Sequence, residues 1–569
     1  MGNGFGSLYI GQSGLQSAQN ALNTTANNLS NVSTTGYVRQ QVRFADKTYN
    51  KLKDPTKNVN LQQYGLGVSI GDVAHARDIF LDKSFRQESG RKGFYSSFYE
   101  ITDYTTDLFQ ELHGEQFKKS ISDLHTAFQE LANKMDNSTQ QNLVFQKAEL
   151  LLTRTKSLYE DMKSYQSNIN DQIKDDVDRV NEISSRIYTL NLEIQKVEAG
   201  GQETAMTLRD ERDLLLDELG SYGSVDVKED ATGFTFVDFE GSRLVDKHGA
   251  YEIGLKEDRD TGFYTPYWEH LSDTDKGQYV RVYDPNQVIS TETNTDVGSI
   301  KAKLLARGEK NGTYLDMSSE ESYEKIAGCT MVETEAQIAT LIHNIVTKIN
   351  DAFCPNITCN EAITATDADG NQIDLQGKLI LDADNAAVGA DGKLPPRELF
   401  TRSGVERYTK VTDANGKEYY VYNEEDESDP FSLYSLNNVS VNPELSKQIT
   451  LMPSKMTDGT AFPLGEKMAA IWGEKGMTLN PSDEKPCTFE EFYDKLVGQL
   501  STDGNVYKSA SDTLTAAATS VDNQRQQTIG VSSDEELTHM IKFQSAYNAS
   551  SRFMTVISQM TELIVTGLK

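Results

Sequence analysis

The sequence predicts a multidomain, mainly α protein with terminal helices of coiled-coil pattern, a helical-bundle second layer and β-rich inserted outer domains. Three observations carry this. Apolar residues recur at sevens near both ends and within residues 100–220. From Val225 onward, short Val/Thr/Phe/Tyr runs separated by turns replace that period. The 569 residues also exceed what one hydrophobic core organises, since single cores stop growing near roughly 250–300 residues.

Taken in order, residues 1–95 form an N-terminal helix and an extended segment. Leu8, Leu15, Leu22 and Leu29 stand at strict sevens, with Ala18, Thr25 and Val32 each three residues after the last three of them. Gly11 and Gly14 lower helix propensity by about 1 kcal/mol each, so this helix needs a partner. It is expected to end near Thr34-Thr35-Gly36, after which Tyr37 to Phe44 alternates as a strand. Every residue from Met1 to Val38 is formally neutral, and Arg39 is the first charge of an otherwise charged chain.

Residues 96–224 read as a helical bundle. One helix carries Phe117, Ile121, Leu124, Phe128 and Leu131; the next begins with Leu143, Val144, Leu151, Leu158, Met162 and Tyr165. A heptad seam follows, with Ile173, Val180, Ile187 and Ile194 at one position and Ile169, Ile183, Leu190 and Val197 at the other, broken at Asp176. Gly200-Gly201 ends this helix, and LRDERDLLLDEL, Leu208 to Leu219, supplies a short one. Residues 225–297 form a β-rich inserted domain, typified by GFTFVDFEG at 233–241. Residues 298–353 return to helical spacing at Ile338, Leu341, Ile342, Ile345, Ile349 and Phe353.

Residues 354–486 are an acidic, β-rich outer insertion with hairpin signals at Asp367-Ala368-Asp369-Gly370-Asn371 and Asp413-Ala414-Asn415-Gly416. Residues 487–529 resume the bundle through Phe492, Leu496 and Leu500, then Leu514, Ala517 and Val521. Residues 530–569 are the C-terminal helix, opened by a capping box of Ser533 and Glu536. It carries two apolar rows: Met540, Tyr547 and Met554, and Phe543, Ala546, Phe553, Ile557, Met560 and Ile564. Two rows on one helix imply two neighbours.

Composition narrows the function. A net charge of −31 and an isoelectric point near 4.7 argue against nucleic acid, whose binding rests on clustered Lys and Arg, and against anionic membrane surfaces. No apolar run reaches the roughly 18–20 residues of a membrane span, and the start lacks the pattern of a secretory signal. Four cysteines are too few for a disulfide scaffold; Cys354 and Cys359, at C-x4-C spacing, leave either free thiols or one local disulfide.

The seven histidines contain no HExxH pair, and there is no P-loop, G-x-S-x-G elbow or dinucleotide fingerprint. Asp367, Asp369 and Asn371 resemble a calcium loop, but Gly370 stands too early in it and the acid near position twelve is missing, so a hairpin turn is expected. No catalytic residue, metal ligand or cofactor is assigned, and the chain is not expected to be an enzyme.

SGLQSAQNALNTTANNLSNVSTTGY, Ser13 to Tyr37, resembles the N-terminal signature of the flagellar rod, hook and hook-associated axial proteins. EELTHMIKFQSAYNASSRFMTVISQMTELI, from Glu535, resembles their C-terminal one. Those families commonly place Pro before the Gly-Tyr, where this chain has Thr35. Inside the chain, Gly65-Leu66-Gly67-Val68-Ser69-Ile70, the Arg77-Asp78-Ile79-Phe80-Leu81-Asp82 run, the long helix leading into LRDERDLLLDEL and NNVSVNPEL at 437–445 look like the hook-associated protein 1 family.

The resemblance implies a structural part of the bacterial flagellum, secreted through the flagellar type III export apparatus and placed at the hook–filament junction as its first layer. It implies that the terminal helices pack as a coiled coil in the inner wall of a tube. Its partners would be further copies of itself, the flagellar hook protein, the second junction protein and an export chaperone covering the C-terminal apolar rows. The assembly interface it implies comprises Leu8, Leu15, Leu22, Asn27, Asn28, Leu29, Asn31, Gly36, Tyr37, Met540, Phe543, Tyr547, Phe553, Met554, Ile557, Met560 and Ile564. Uncharged amides and hydroxyls suit a segment that stays soluble before docking and then pairs in a crowded interface, where an unpaired charge is costly. The alternatives are hook protein or another axial protein, which a β-rich stretch directly after residue 100 would favour, and a secreted enzyme displayed on flagella, which would need a motif in 354–485.

Overall fold

The chain leaves its first helix because asparagines turn it. In the computed structural model, which describes residues 3–47, 50–52, 62–64, 67–109, 114–200, 204–285 and 287–567, α1 spans Asn3–Ser30. Gly65, Leu66 and Gly201 lie outside the described residues. The Asn31 side chain donates back to the Asn27 carbonyl, so α1 stops a few residues before the expected Thr34–Gly36. Gly36 then takes a φ of +80°, which a residue with a Cβ resists. Strand β1 (Gln40–Asp46) follows, then β2 (Asn50–Leu52), β3 (Gln62–Tyr64) and β4 (Val68–His75). β1 pairs antiparallel with β4, from Gln40 opposite His75 to Asp46 opposite Val68, with a bulge between Arg43 and Phe44; β2 pairs with β3.

The body is built around one long helix. After α2 (Ile79–Asp107) and α3 (Gly114–Asn133), α4 runs through Ser138–Glu198, about 90 Å at 1.5 Å per residue. A boundary drawn at 95/96 falls inside α2. Val144, Ala148, Leu151, Leu158, Ile173, Val180, Ile187 and Ile194 form a fully buried row on α4, covered by Ile121, Leu124 and Phe128 of α3 and by α5 (Met206–Tyr222). Two seam expectations are corrected. Val197 is exposed, because α4 runs out one residue later. Asp176 is no defect: its carboxylate meets the Lys303 ammonium at 2.8 Å, and Val177 takes its place in the core.

The β-rich segment has an antiparallel sheet of β5 (Val225–Glu229), β6 (Thr235–Phe239) and β7 (Ser242–Val245), and a hairpin of β8 (Ile253–Glu257) with β9 (Tyr264–Trp268). These elements dock on α4 through carboxamides. Asn191 accepts from the Thr235 amide at 3.1 Å and donates to its carbonyl at 2.8 Å. Asn181 does the same for Ile253, and Asn170 accepts from the Tyr264 amide while donating to the Gly262 carbonyl. A helix side chain thus satisfies main-chain groups that burial would leave unpaired. The return is α6 (Ser299–Arg307), α7 (Glu320–Glu324) and α8 (Thr330–Phe353).

Beyond residue 354, where a separate outer insertion is expected, the chain divides into a sheet with a small core of its own and segments that join the main core. The strands β10 (Asn356–Thr358), β11 (Thr364–Thr366), β12 (Gln372–Asp374), β13 (Leu379–Leu381), β14 (Ala387–Val388), β15 (Phe400–Arg402), β16 (Tyr408–Asp413) and β17 (Glu418–Tyr422) include a six-stranded sheet, ordered β10-β13-β17-β16-β11-β12. Its outer side has a small core of Cys359, Ala365, Leu375, Val411 and Val421. The rest, β18 (Val439–Val441), α9 (Pro443–Lys447), β19 (Lys455–Met456) and α10 (Leu464–Gly473), joins the main core. Trp472 of α10 stacks on His125 of α3 and approaches Phe128. This part is bundle filling rather than decoration, because its apolar residues have no core of their own.

Both turn signals form hairpins; the Asp367 carboxylate accepts from the Asp369 and Asn371 amides, which the turn requires. Cys354 and Cys359 are free thiols pointed at different carbonyls, those of Pro396 and Glu361. The chain closes with α11 (Phe489–Ile529), opened by a Thr488/Glu491 capping box and lying along α2, and α12 (Ser533–Gly567). Among the described residues no helix is long and apolar enough to cross a membrane.

Candidate assembly interface at the chain termini

α1 and α12 pack against each other antiparallel, with Gly11 beside Met554, Gly14 beside Ser550 and Asn28 beside Glu536. The side of α1 that disappears is Gly11, Gly14, Ala18, Ala21, Thr25 and Asn28, at alternating spacings of three and four. Small residues there let the helices approach closely. A Cβ on Gly11 would stand 2.6 Å from the Met554 sulfur, and one on Gly14 2.9 Å from the Ser550 hydroxyl. The opposing face of α12 is Met540, Phe543, Tyr547, Ser550, Met554 and Ile557, all half-buried.

The two apolar rows expected on α12 are therefore regrouped. Met540, Tyr547 and Met554 combine with Phe543 and Ile557 to face α1, whereas Ala546, Phe553, Met560 and Ile564 are exposed; Phe553 keeps 42% of its surface. Leu8, Leu15, Leu22 and Leu29 are half-buried beside the small-residue seam rather than forming it. Asn27 is exposed and Asn31 half-exposed, hydrogen-bonded to each other. The hairpin of β1 and β4 covers another side: Ser13 accepts from the Val68 amide, and Phe44 meets Phe543 edge-on at 6.0 Å.

At its inner end the pair is locked by one carboxamide. Asn28, 1% exposed, accepts from the Tyr37 hydroxyl at 2.8 Å and the Gln40 amide at 3.1 Å, and donates to the Gln40 carbonyl at 2.9 Å and to Glu536 at 3.1 Å. All four of its hydrogen-bonding positions are used. Arg39 bonds Glu536 at 2.8 Å and Glu535 at 2.9 Å, and its amide reaches the Ile529 carbonyl at the end of α11. Glu536 is thereby withdrawn from the expected capping box with Ser533. The hydroxyl near the first-turn amides is Ser532, 3.5 Å from the Glu535 amide, because a carboxylate buried to this extent needs the guanidinium more than the helix does.

Burial, with Asp210 and Glu536 nearby, pushes Tyr37 up to about 12, so it remains a hydrogen-bond donor. Asp210 of α5 accepts from the Val38 amide and ties this end to the body; burial pushes its carboxyl up to about 7 against the pull of that amide and Arg77. Of these groups, the sequence marks Arg39 as the first charge and Glu536 as a capping-box acid, and neither as an interface partner. The signal was present, since Arg39 is the first charge after thirty-eight neutral residues. The small-residue seam was likewise visible as a three–four spacing, hidden by the stricter sevens of leucine. The arrangement holds segments together and presents apolar surface. Among the described residues no group of three or more His, Cys, Asp or Glu side chains is placed to hold a metal ion.

Comparison with known proteins matches three families to three parts of this architecture. Residues 8–37 match the flagella basal body rod protein family, 103–360 the flagellar hook-associated protein FlgK helical domain, and 523–566 the C-terminal region of the flagellar basal body rod FlgEFG proteins. Flagellar hook-associated protein 1 of Bacillus subtilis is 23% identical over 99% of this chain and 98% of its own length. That of Escherichia coli is 22% identical over 97% and 98%. The flagellar hook junction protein FlgK of Burkholderia pseudomallei superposes on 79% of this chain and all of its own, at 13% identity and a TM-score of 0.48. With both terminal signatures and the helical body matched in order, and the relatives aligned from end to end, the chain is similar along its whole length to the flagellar hook-associated protein 1 sequences.

Proposed function

We propose that the chain joins hook to filament as the first junction layer of the bacterial flagellum, a structural role without bond chemistry. The observation that supports this most directly is the incomplete cover of the terminal pair. α12 places one face on α1 and leaves Leu537, Ile541, Val556 and Leu563 exposed, Leu563 at 73%. A helix with a second uncovered apolar face is stable only with further neighbours. In the tube those neighbours are the α1 and α12 helices of adjacent copies and of the hook protein, packed as a coiled coil. Leu8, Leu15, Leu22 and Leu29 flank the intrachain seam and would face them, together with Phe553, Met560 and Ile564. The outer surface of the α4 bundle offers the seat for the second junction protein. Before assembly, the exposed row on α12 is the surface an export chaperone would cover on a chain secreted by the type III apparatus.

The test is location and loss. Gold-labelled antibody against the chain should mark the boundary between hook and filament on intact cells. Cells lacking the chain should release filament protein into the medium and bear hooks without filaments. Label along the filament, or a deletion strain that keeps its filaments, rejects the proposal.

A further inference from the structure

The two most exposed neighbouring apolar side chains of the body are Ile79 and Phe80, at 83% and 75%, in the first turn of α2. Their position is fixed: Asp78 caps the helix by accepting from the Phe80 and Leu81 amides through Oδ1. Together they form a rigid apolar knob beside an exposed carboxylate. Nothing in the fold explains leaving this pair in water.

A matching recess lies where the terminal pair meets the body. It is a cleft of about 860 Å³ between the Asn31–Val38 turn, the end of α11, and the faces of α2 and α5. Its walls include the exposed apolar side chains of Val32 and Leu214, the half-buried Phe85 and Val531, and Lys92. Lys92 is exposed and paired with no carboxylate among the described residues. The carboxylates that also line it are already held, Asp213 by Arg77, Asp217 by Arg86 and Arg525, Glu218 by Arg179, Asp522 by Arg525 and Asp210 by the Val38 amide, so the cleft offers apolar walls and the Lys92 cation, and the knob offers apolar side chains and an anion. It also adjoins Gly36 and Tyr37, so it continues the terminal face into the body.

We propose that Ile79 and Phe80 of one subunit seat in this cleft of a second copy, with Asp78 reaching Lys92, as a head-to-tail contact between neighbours in the layer. This rests on the junction reading above. Seated in one direction only, each knob in the next copy's cleft, the contact repeats around a ring or helix, whereas a reciprocal exchange of knobs between two copies would stop at a dimer.

The test pairs Phe80→Cys with Leu214→Cys in the full chain, assembled on flagella and treated with a short thiol cross-linker. Cys354, Cys359 and Cys487 are buried, and the parent chain controls for Cys329. The double variant should give a ladder of oligomers that neither single variant gives. Phe80→Asp should leave the melting temperature of the monomer unchanged and abolish layer formation. The proposal is overturned if Phe80→Cys alone gives dimers, which would mean a two-fold contact. It is also overturned if Leu214→Cys links to hook protein instead, or if the double variant gives no ladder while the chain stands at the hook–filament boundary. In that last case the junction reading survives, whereas absence of the parent chain from that boundary overturns both.

Discussion

Two helix-on-helix contacts in this molecule use similar lengths of helix and opposite chemistry. In the body, α3 and α4 meet through Ile121, Leu124, Phe128, Leu151 and Leu158, each with no exposed surface. At the termini, α1 and α12 meet through Gly11, Gly14, Ala18 and Ala21 on one side and half-buried Met and aromatic residues on the other. The first contact buries large side chains completely and is self-sufficient. The second holds the backbones close, removes little apolar area per residue, and leaves the outer face of α12 in water. Since burial drives packing at roughly 25 cal/mol per Å², the body carries the stability of the isolated chain. On the proposed reading, neighbours cover that face and complete the terminal pair.

The largest expected effect tests the body. Phe128→Ala removes a ring packed among Phe353 and Trp472 and should cost about 3–5 kcal/mol, read as a lowered melting temperature of the monomer. Leu563→Ala on α12 should move the same transition by less than about 0.5 kcal/mol. Comparable losses at both sites would erase the distinction between the two regions.

Next comes a buried carboxyl of α8. Glu335 has no exposed surface; one oxygen accepts from the Gly312 amide, and the other meets no hydrogen-bond donor among the described residues. Burial pushes it up to about 7 from 4.5. Below about pH 4 both folded and unfolded states hold the proton, and no penalty exists. Between 4.5 and 7 the unfolded state ionises first, so stability falls as pH rises, and above 7 the full penalty of about 3 kcal/mol stands. Glu335→Gln should therefore stabilise the monomer at pH 8 and change little at pH 4. Equal effects in denaturant titrations at both values would refute this.

A matched pair of amides sharpens the comparison further. Asn191 and Asn28 each bridge the amide and carbonyl of one strand residue, Thr235 in the body and Gln40 at the termini. Asn191→Ala should cost about 1–3 kcal/mol of global stability. Asn28→Ala should leave the global transition in place and instead raise hydrogen exchange in 3–46 and 533–567.

The smallest effect on the monomer carries the largest on assembly. Phe553→Asp alters a half-exposed ring and should shift monomer stability by less than about 0.5 kcal/mol. Cells carrying it should secrete the chain, fail to retain filaments and not swim. Normal swimming would show that Phe553 contacts nothing in the assembled layer.

Periodicity was sufficient for the body, because a helix that buries one stripe must repeat its apolar residues every three to four positions. Ile173, Val180, Ile187 and Ile194 could hardly be read otherwise. The turn residues announced the hairpins at Asp367 and Asp413 for an equally local reason. Tertiary structure decided which apolar stripe meets which partner. Leucines at strict sevens and glycines at threes and fours coexist on α1, and only the position of α12 selects the glycines. It also decided that Glu536 serves Arg39 rather than its own helix end. The same holds for Trp472, which fills the α3–α8 core from across more than a hundred residues, and for the carboxamides that replace strand neighbours. Hydrogen bonds and contacts between residues far apart in the chain leave no period behind them, so the sequence determined the elements and their apolar faces, and the packed structure determined their mates.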